Sequence, residues 1–519
     1  MALDRLSPVT SFSGHGVEPH LVELTHWVAQ NWWGPWRATL SSASAPRVRN
    51  KYVNSRHGKV DAHVDETISS AVQSLWGKGG GLVVVPPLMS SLSVVVDAAV
   101  RGPVLVVCPT VRMAVMGAAA LRRKGLTTAL VPDDWEQARA GVDVVIGARS
   151  AVFAPCAQLS SIVVIDEHDE SLHEERSPTW DAVSVARERA RRASIPVLLT
   201  SSVPSARSLV ETDPNIEWVP SDGGWPTITI TDLANVPVSG SLLSSELFDV
   251  VSQKNLSTIC VLNTKGKARL IVCKSCREVQ SCRDCSSLLA QDDDGKMFCQ
   301  RCSSNYGSVC VGCGRSSFAI ARGGVTQLRT QLESSRPDGI VEVTADTDDT
   351  WEKGRVFIGT EAALFRIPSA DCVVFADIDR DLGAPRMTAA SEVLTLIARA
   401  ARLVGSRGRI IIQTRQPQHR LFAALSSHDV SSALREFISS EITQRKMLGL
   451  PPFSRIVRIA LPDDAVIDPR ILPSEVLMAK SDGAVLLRSS SHESLSSVID
   501  QLRLQFGTSM RVYADPRRF

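Results

Sequence analysis

The sequence lacks any apolar run approaching the roughly 18 residues that a membrane-spanning helix needs, so no membrane segment is expected. Its opening, MALDRLSPVT, lacks the basic-then-apolar design of an export signal, and the expected compartment is the cytoplasm. Net charge is nearly absent as well, because 57 Lys and Arg face 55 Asp and Glu and leave only +2. Composition alone therefore does not mark a nucleic-acid-binding polycation. The positive charge that exists is local. Residues 43–60 carry Arg47, Arg49, Lys51, Arg56 and Lys59 and no acid, and residues 265–322 hold ten Lys or Arg against five Asp or Glu. Both stretches suit phosphate contacts, or are simply solvated basic faces.

With 519 residues, 44% hydrophobic and 22% charged, the chain has the make-up of a soluble protein of several domains. Residues 1–60 stand apart. HWVAQNWWGPWRATL holds Trp27, Trp32, Trp33 and Trp36, and a short helix from His26 to Ala29 is expected to end at Gly34-Pro35. Tryptophans beside a basic tail offer stacking platforms for bases; the competing reading makes them core or docking residues. From 61 to 225, apolar strand candidates (GLVVV, PVLVVC, TTALV, VDVVIG, SIVVID, PVLLTS) alternate with helical stretches. That pattern predicts a parallel α/β sheet covered on both faces. A second alternating block spans 226–440, with strands at LSTICVLN, GIVEVTA, RVFIGT, DCVVFADID and GRIIIQT, and residues 265–322 interrupt it. Residues 441–519 read as a small α+β domain.

The interruption contains eight of the twelve cysteines, in four C-x-x-C pairs: Cys273/Cys276, Cys282/Cys285, Cys299/Cys302 and Cys310/Cys313. Each pair can place two thiolates on one ion, and two pairs complete a tetrahedral Cys₄ zinc site. Eight ligands make two structural zincs with no open position for a catalytic water. Disulfides are disfavoured in a cytosolic chain. The short spacing between Cys276 and Cys282 argues against sequential sites, and the first loop is too short for a cross-braced arrangement. A nested one fits: Cys273, Cys276, Cys310 and Cys313 on one zinc, Cys282, Cys285, Cys299 and Cys302 on the other.

SIVVIDEHDE adds a second chemical signal. An apolar β-branched run ends in Asp166 and Glu167, as does the magnesium-and-water corner of a nucleotide hydrolase at the end of a buried strand.

These pieces, in this order, resemble the family of primosomal protein N′, the replication restart helicase PriA. The resemblance runs from about residue 20 to the end. It rests on VVIGARSAVFAP, SIVVIDEHDE, IPVLLTSSVPSARSL, VLNTKGKARLIVC with the eight cysteines, GVTQL, VFIGTEAAL, LIARAARLVGSRGRIIIQT, RKMLGLPPFSR and MRVYADP. It implies an α/β fold of two RecA-like helicase lobes with a two-zinc Cys-rich insertion and a small α+β C-terminal domain. Residues 1–60 are then the remnant of an N-terminal DNA-binding domain plus a basic linker. The implied partners are forked and single-stranded DNA, single-strand-binding protein and the proteins that reload the replicative helicase, in a nucleoid-associated setting.

The nucleotide motifs depart from that family. After the first strand the sequence is VVVPPLMSSLSVVV: Pro86 and Pro87 occupy the loop, Ser91 stands where the phosphate-binding Lys belongs, and Leu92 where the Thr belongs. GKGGG, residues 77–81, precedes the strand and cannot cradle phosphates at its carboxyl end. Thr200-Ser201-Ser202-Val203 replaces a Gly-Ser-Ala-Thr turn, the segment from Glu361 to Pro368 is shortened, and the Gly-Arg-Ala-Gly-Arg element reads Ala398-Arg399-Ala400-Ala401-Arg402, with Thr395 in place of its upstream Gln. Asp166, Glu167, Arg399 and Arg402 are thus vestigial catalytic positions, and bound ATP and Mg²⁺ are in doubt. The expectation is a primosome-assembly protein without helicase activity of its own. Its alternatives are an active ATP-dependent 3′→5′ DNA helicase and a zinc-ribbon scaffold for RNA or protein.

Overall fold

The computed structural model describes residues 16–45, 54–58, 65–220, 223–233, 242, 244–263, 270–285, 287–292, 294–321, 325–336, 339–343, 354–462, 465, 467–481 and 484–516. Most of the basic linker, including Arg47, Arg49, Lys51 and Lys59, lies outside them. The chain divides into two compact units: residues 1–85, 90–220 and 442–519 in the first, 86–89 and 221–441 in the second.

In the first unit seven apolar runs form strands: β1 Gly80–Val84, β2 Val104–Val107, β3 Thr128–Leu130, β4 Val144–Gly147, β5 Ser161–Val164, β6 Val197–Ser201 and β7 Ile216–Trp218. They pair in the order β3-β4-β2-β5-β6-β1-β7, every pair parallel. Burial on both faces explains why the strands read as continuous apolar runs. The edge strand β7, IEW, is too short and too mixed to stand out as one. The glycines of GKGGG serve packing: Gly80 sits at φ +104°, and a Cβ there would lie 2.0 Å from the Val197 carbonyl oxygen.

The second unit repeats the plan with β8 Thr227–Asp232, β9 Thr258–Val261, β15 Ile340–Val343, β16 Val356–Gly359, β17 Cys372–Phe375 and β18 Arg409–Thr414, ordered β15-β16-β9-β17-β18-β8 and all parallel. Between β9 and β15 lie β10 Leu270–Cys273, β11 Leu289–Gln291, β12 Met297–Cys299, β13 Asn305–Gly307 and β14 Phe318–Ala321, in two small antiparallel sheets, β10-β14 and β11-β12-β13. Two parallel α/β sheets, the second interrupted by a cysteine-rich module, make this a pair of RecA-like lobes.

The tail adds an antiparallel sheet, β20-β21-β19-β22, from β19 Arg455–Ala460, β20 Leu477–Ser481, β21 Ala484–Ser489 and β22 Arg511–Ala514, with the helix His492–Phe506. It shares one apolar core with the first sheet and with the N-terminal helix, through Val457, Leu495, Leu105, Leu24 and Trp32.

That N-terminal helix corrects one expectation. It runs Pro19–Asn31, not from His26, because Pro19 opens it and Leu21, Leu24 and Val28 continue its buried face. A second helix, Trp36–Ser42, follows Pro35. Trp32 and Trp33 are buried, and the Trp33 indole donates to Ser496 Oγ at 2.9 Å. They are core residues, not platforms for bases; Trp36 is 42% exposed.

Candidate functional site

The cysteine module is built from tight turns. The residue after a pair takes a left-handed conformation: Arg277 at φ +64°, Ser303 at +64° and Gly314 at +73°. This bend aims backbone N–H groups at the first sulfur of the pair, from Ser275 to Cys273 Sγ, Arg301 to Cys299 Sγ and Gly312 to Cys310 Sγ, each at 3.4 Å. The eight sulfurs fall into two groups, Cys273, Cys276, Cys310 and Cys313 and then Cys282, Cys285, Cys299 and Cys302, within 4.8 Å of one another in each. The grouping is nested. Nearest approaches are 3.6 Å for Cys273–Cys313 and Cys276–Cys310, 3.3 Å for Cys282–Cys302 and 3.5 Å for Cys285–Cys299. A tetrahedral Zn–S₄ centre with bonds of about 2.3 Å sets its sulfurs roughly 3.8 Å apart; the nearest pairs lie a little inside that spacing and all four sulfurs of a group within 4.8 Å, so each tetrad can hold one metal ion.

Apart from its two small sheets, few apolar side chains of the module are buried among the described residues. Its buried cluster is Ile271, Leu289 and Met297 beside three of the cysteines. It is seated on its own unit at Gly383, whose carbonyl accepts from the Leu288 N–H at 2.8 Å. A Cβ at Gly383 would meet Leu288 Cγ at 2.1 Å, so only glycine fits.

The nucleotide corner has a different character. The segment after β1 runs through Pro86 and Pro87 to Ser91, which precedes the helix Leu92–Arg101 without a side-chain cap. Residues 85–92 contain no glycine and no lysine. Two prolines remove two N–H donors from the place where a phosphate would need them.

At the end of β5, Asp166 and Glu167 are both buried, 3% and 4% exposed. Asp166 is held at φ +49°, and its N–H donates to Thr200 Oγ1 at 3.3 Å. Burial, with the Asp166 charge nearby, pushes the Cys108 thiol up to about 12. The Glu167 carboxylate accepts three hydrogen bonds: from the Ser205 N–H at 2.8 Å, Ser205 Oγ at 2.7 Å and Ser208 Oγ at 2.6 Å. Ser205 is the N-cap of the helix Ala206–Thr212. The glutamate that stands at a water-activating position therefore anchors a helix start. Sequence reasoning missed Ser205 and Ser208; the available signal was a serine directly before a helical pattern.

In the second unit the segment shortened at Glu361 forms the brief helix Ala363–Arg366. Arg399 Nε donates to the Leu364 carbonyl at 2.8 Å, and its guanidinium lies 3.9 Å from the Phe365 ring centre. Arg402 is half-buried in the last turn of the helix Ala389–Val404. Thr395 Oγ1 bonds back to the Ser391 carbonyl within that helix.

No family model matches the chain. Among curated proteins it is 26% identical over 356 residues to the replication restart protein PriA of Thermotoga maritima, covering 63% of this chain and 47% of that one. It is 23% identical over 423 residues to PriA of Bacillus subtilis (74% and 52%) and 29% identical over 347 residues to PriA of Treponema pallidum (61% and 51%). The chain is similar in sequence to PriA proteins. It spans about half the length of these PriA proteins. Among solved structures it is similar to S. cerevisiae Dbp5 bound to RNA and ADP BeF3 (12% identity, 84% of this chain and 94% of that one, TM-score 0.33) and to the DUF1998 helicase MrfA bound to DNA (12%, 90% and 70%, TM-score 0.38). Those likenesses are too loose to decide anything further.

Proposed function

We propose that this chain is a replication restart protein that binds abandoned forks and helps reload the replicative helicase, using a helicase fold without its motor. One contrast carries the reading. The metal ligands are complete in kind and spacing, while the phosphate ligands are missing and Glu167 is occupied as a helix anchor. Phosphoryl transfer depends almost wholly on positioning and electrostatic stabilisation of the phosphate. An Asp and a Glu cannot supply that alone. Zinc is the ion that all-thiolate tetrads of this size favour. Two zincs, on Cys273/Cys276/Cys310/Cys313 and Cys282/Cys285/Cys299/Cys302, would hold a module whose exposed Lys274, Arg277, Arg283 and Arg315 suit DNA phosphates. Forked and single-stranded DNA are the proposed ligands, and single-strand-binding protein and the helicase-loading proteins the proposed partners.

The test is ATP hydrolysis by the zinc-loaded protein with and without forked DNA, beside an Asp166→Ala control, together with salt-dependent binding to fork, duplex and matched RNA. The expected result is no turnover above the control and preferential fork binding. DNA-stimulated turnover that Asp166→Ala abolishes would restore the active-helicase reading. Preference for RNA, or for neither nucleic acid, would point to the zinc-ribbon scaffold.

A further inference from the structure

The backbone N–H···S bonds come with any C-x-x-C turn, but the two tetrads differ in the side chains that reach their sulfurs. Gln280 is fully buried between the nested pairs. Its Oε1 accepts the Val311 N–H at 2.9 Å, which fixes the orientation of the amide. One Nε2 hydrogen then goes to the Glu278 carbonyl at 2.9 Å and the other to Cys310 Sγ at 3.3 Å. All three strong positions of the amide are used, and one of them is on a sulfur.

At the inner tetrad the Ser304 hydroxyl lies 3.2 Å from Cys302 Sγ, and Tyr306 reaches Cys282. Its phenol oxygen accepts the Arg283 N–H at 2.9 Å. The single phenol proton is left for Cys282 Sγ at 3.1 Å or Asp284 Oδ2 at 3.4 Å. The Ser304 hydroxyl also lies 2.6 Å from Asp284 Oδ2 and has one proton for that oxygen and Cys302 Sγ. A ligating sulfur is a thiolate and can only accept, and Cys282 Sγ is the nearer of the phenol's two acceptors, which assigns the phenol proton to Cys282 when metal is bound. Removing such a partner from a metal site typically costs 10- to 100-fold in affinity.

We propose that Gln280 at the outer tetrad and Tyr306 at the inner one are positioning residues, each donating a hydrogen bond that holds one thiolate in ligating geometry and lowers its charge. The two centres are thereby made unequal and independently tunable. This rests on the two-zinc reading above.

The experiment is zinc release from the full-length, zinc-loaded chain into the chromogenic chelator 4-(2-pyridylazo)resorcinol. Wild type should release two zincs per chain, and a Cys282→Ser/Cys285→Ser variant assigns the inner one. Tyr306→Phe should speed release of the inner zinc about 10- to 100-fold and leave the outer unchanged. Gln280→Leu should do the reverse. Gln280→Glu, which keeps an acceptor for the Val311 N–H and loses both Nε2 donors, to Cys310 Sγ and to the Glu278 carbonyl, serves if the leucine variant does not fold. In the cobalt-substituted protein each variant should also move the sulfur-to-metal charge-transfer band to lower energy, a change that looser packing alone would not produce. Two zincs with wild-type release and an unmoved band in both variants would overturn the positioning role while leaving the metal reading intact. A wild-type chain that holds no zinc would overturn both.

Discussion

At the scale of single residues, Glu167 shows what a buried carboxylate at a strand end can be held by. A buried carboxylate needs hydrogen-bond donors, and Ser205 and Ser208 supply three at 2.6–2.8 Å. Glu167→Ala would leave one N–H and two hydroxyls without their charged acceptor. The expected loss is about 2–3 kcal/mol of stability, read as a lower midpoint in urea. ATP turnover should be no lower than in wild type. A variant as stable as wild type would mean that the carboxylate is not the anchor of that helix. Gly383 works on the same scale: its missing Cβ is what lets Leu288 of the cysteine module close onto its seat.

At the scale of elements, the cysteine module is expected to depend on metal ions held by its two tetrads. Its buried side chains are few, and several of them are the ligands themselves. Four thiolates crowded within 4.8 Å repel one another unless a cation lies among them. In each tetrad one thiol is nonetheless drawn down to about 6. For Cys273, burial opposes ionisation but N–H donors from Cys276 and Ser275 outweigh it; for Cys302, the Ser304 hydroxyl is the main cause. Other ligands move the opposite way: burial pushes Cys276 up to about 12 and raises Cys285 and Cys299, so complete deprotonation of a tetrad needs the cation itself. Removing zinc with a strong chelator should open the module to trypsin at Arg277, Arg283, Arg301 and Arg315, and added zinc should restore protection. Cleavage at equal rates with and without metal would show that the strands hold the module unaided.

At the scale of the molecule, the first unit is one cooperative body assembled from both ends of the chain. Arg455 of β19 donates to the Asn31 carbonyl at 3.1 Å, pairs with Asp515 at 3.0 Å and lies 4.9 Å from the Trp33 ring centre. Burial pushes the Asp515 carboxyl up, but Arg455 and Arg207 together hold it below its ordinary value of 3.8. A depressed carboxyl contributes stability that is present above 3.8 and is lost as pH falls through the lower, folded-state value. Asp515→Asn should therefore lower the midpoint at pH 7 by an amount equivalent to about 3 kcal/mol. It should also flatten the acid limb of the stability curve. Amide hydrogen exchange in the helix Pro19–Asn31 and in the strands of the first sheet should speed up together. Faster exchange confined to the helix would mean that the N-terminal helices fold apart from the sheet.

Much of this was legible in the sequence because it is local or periodic. Strands buried on both faces are apolar throughout, and β1, β2, β4, β5 and β6 stand out for that reason. Four C-x-x-C pairs at these spacings pointed to nested tetrads because a chain can close only so tightly, and the loss of the phosphate loop needed no more than reading the residues after β1. Short mixed strands such as β7 and half-exposed ones such as β8 carry no such signature. The environment of Glu167, the two tryptophans buried against the tail, Gln280 and Tyr306 on their sulfurs, and the seat at Gly383 all depend on partners distant in sequence. The sequence by itself determined the two sheets, the four cysteine pairs and a loop after β1 with two prolines and neither glycine nor lysine, because each is written in neighbouring residues. Only the tertiary structure decided whether a retained acid faces a ligand or a helix end, because that depends on which donors the fold brings within about 3 Å of it.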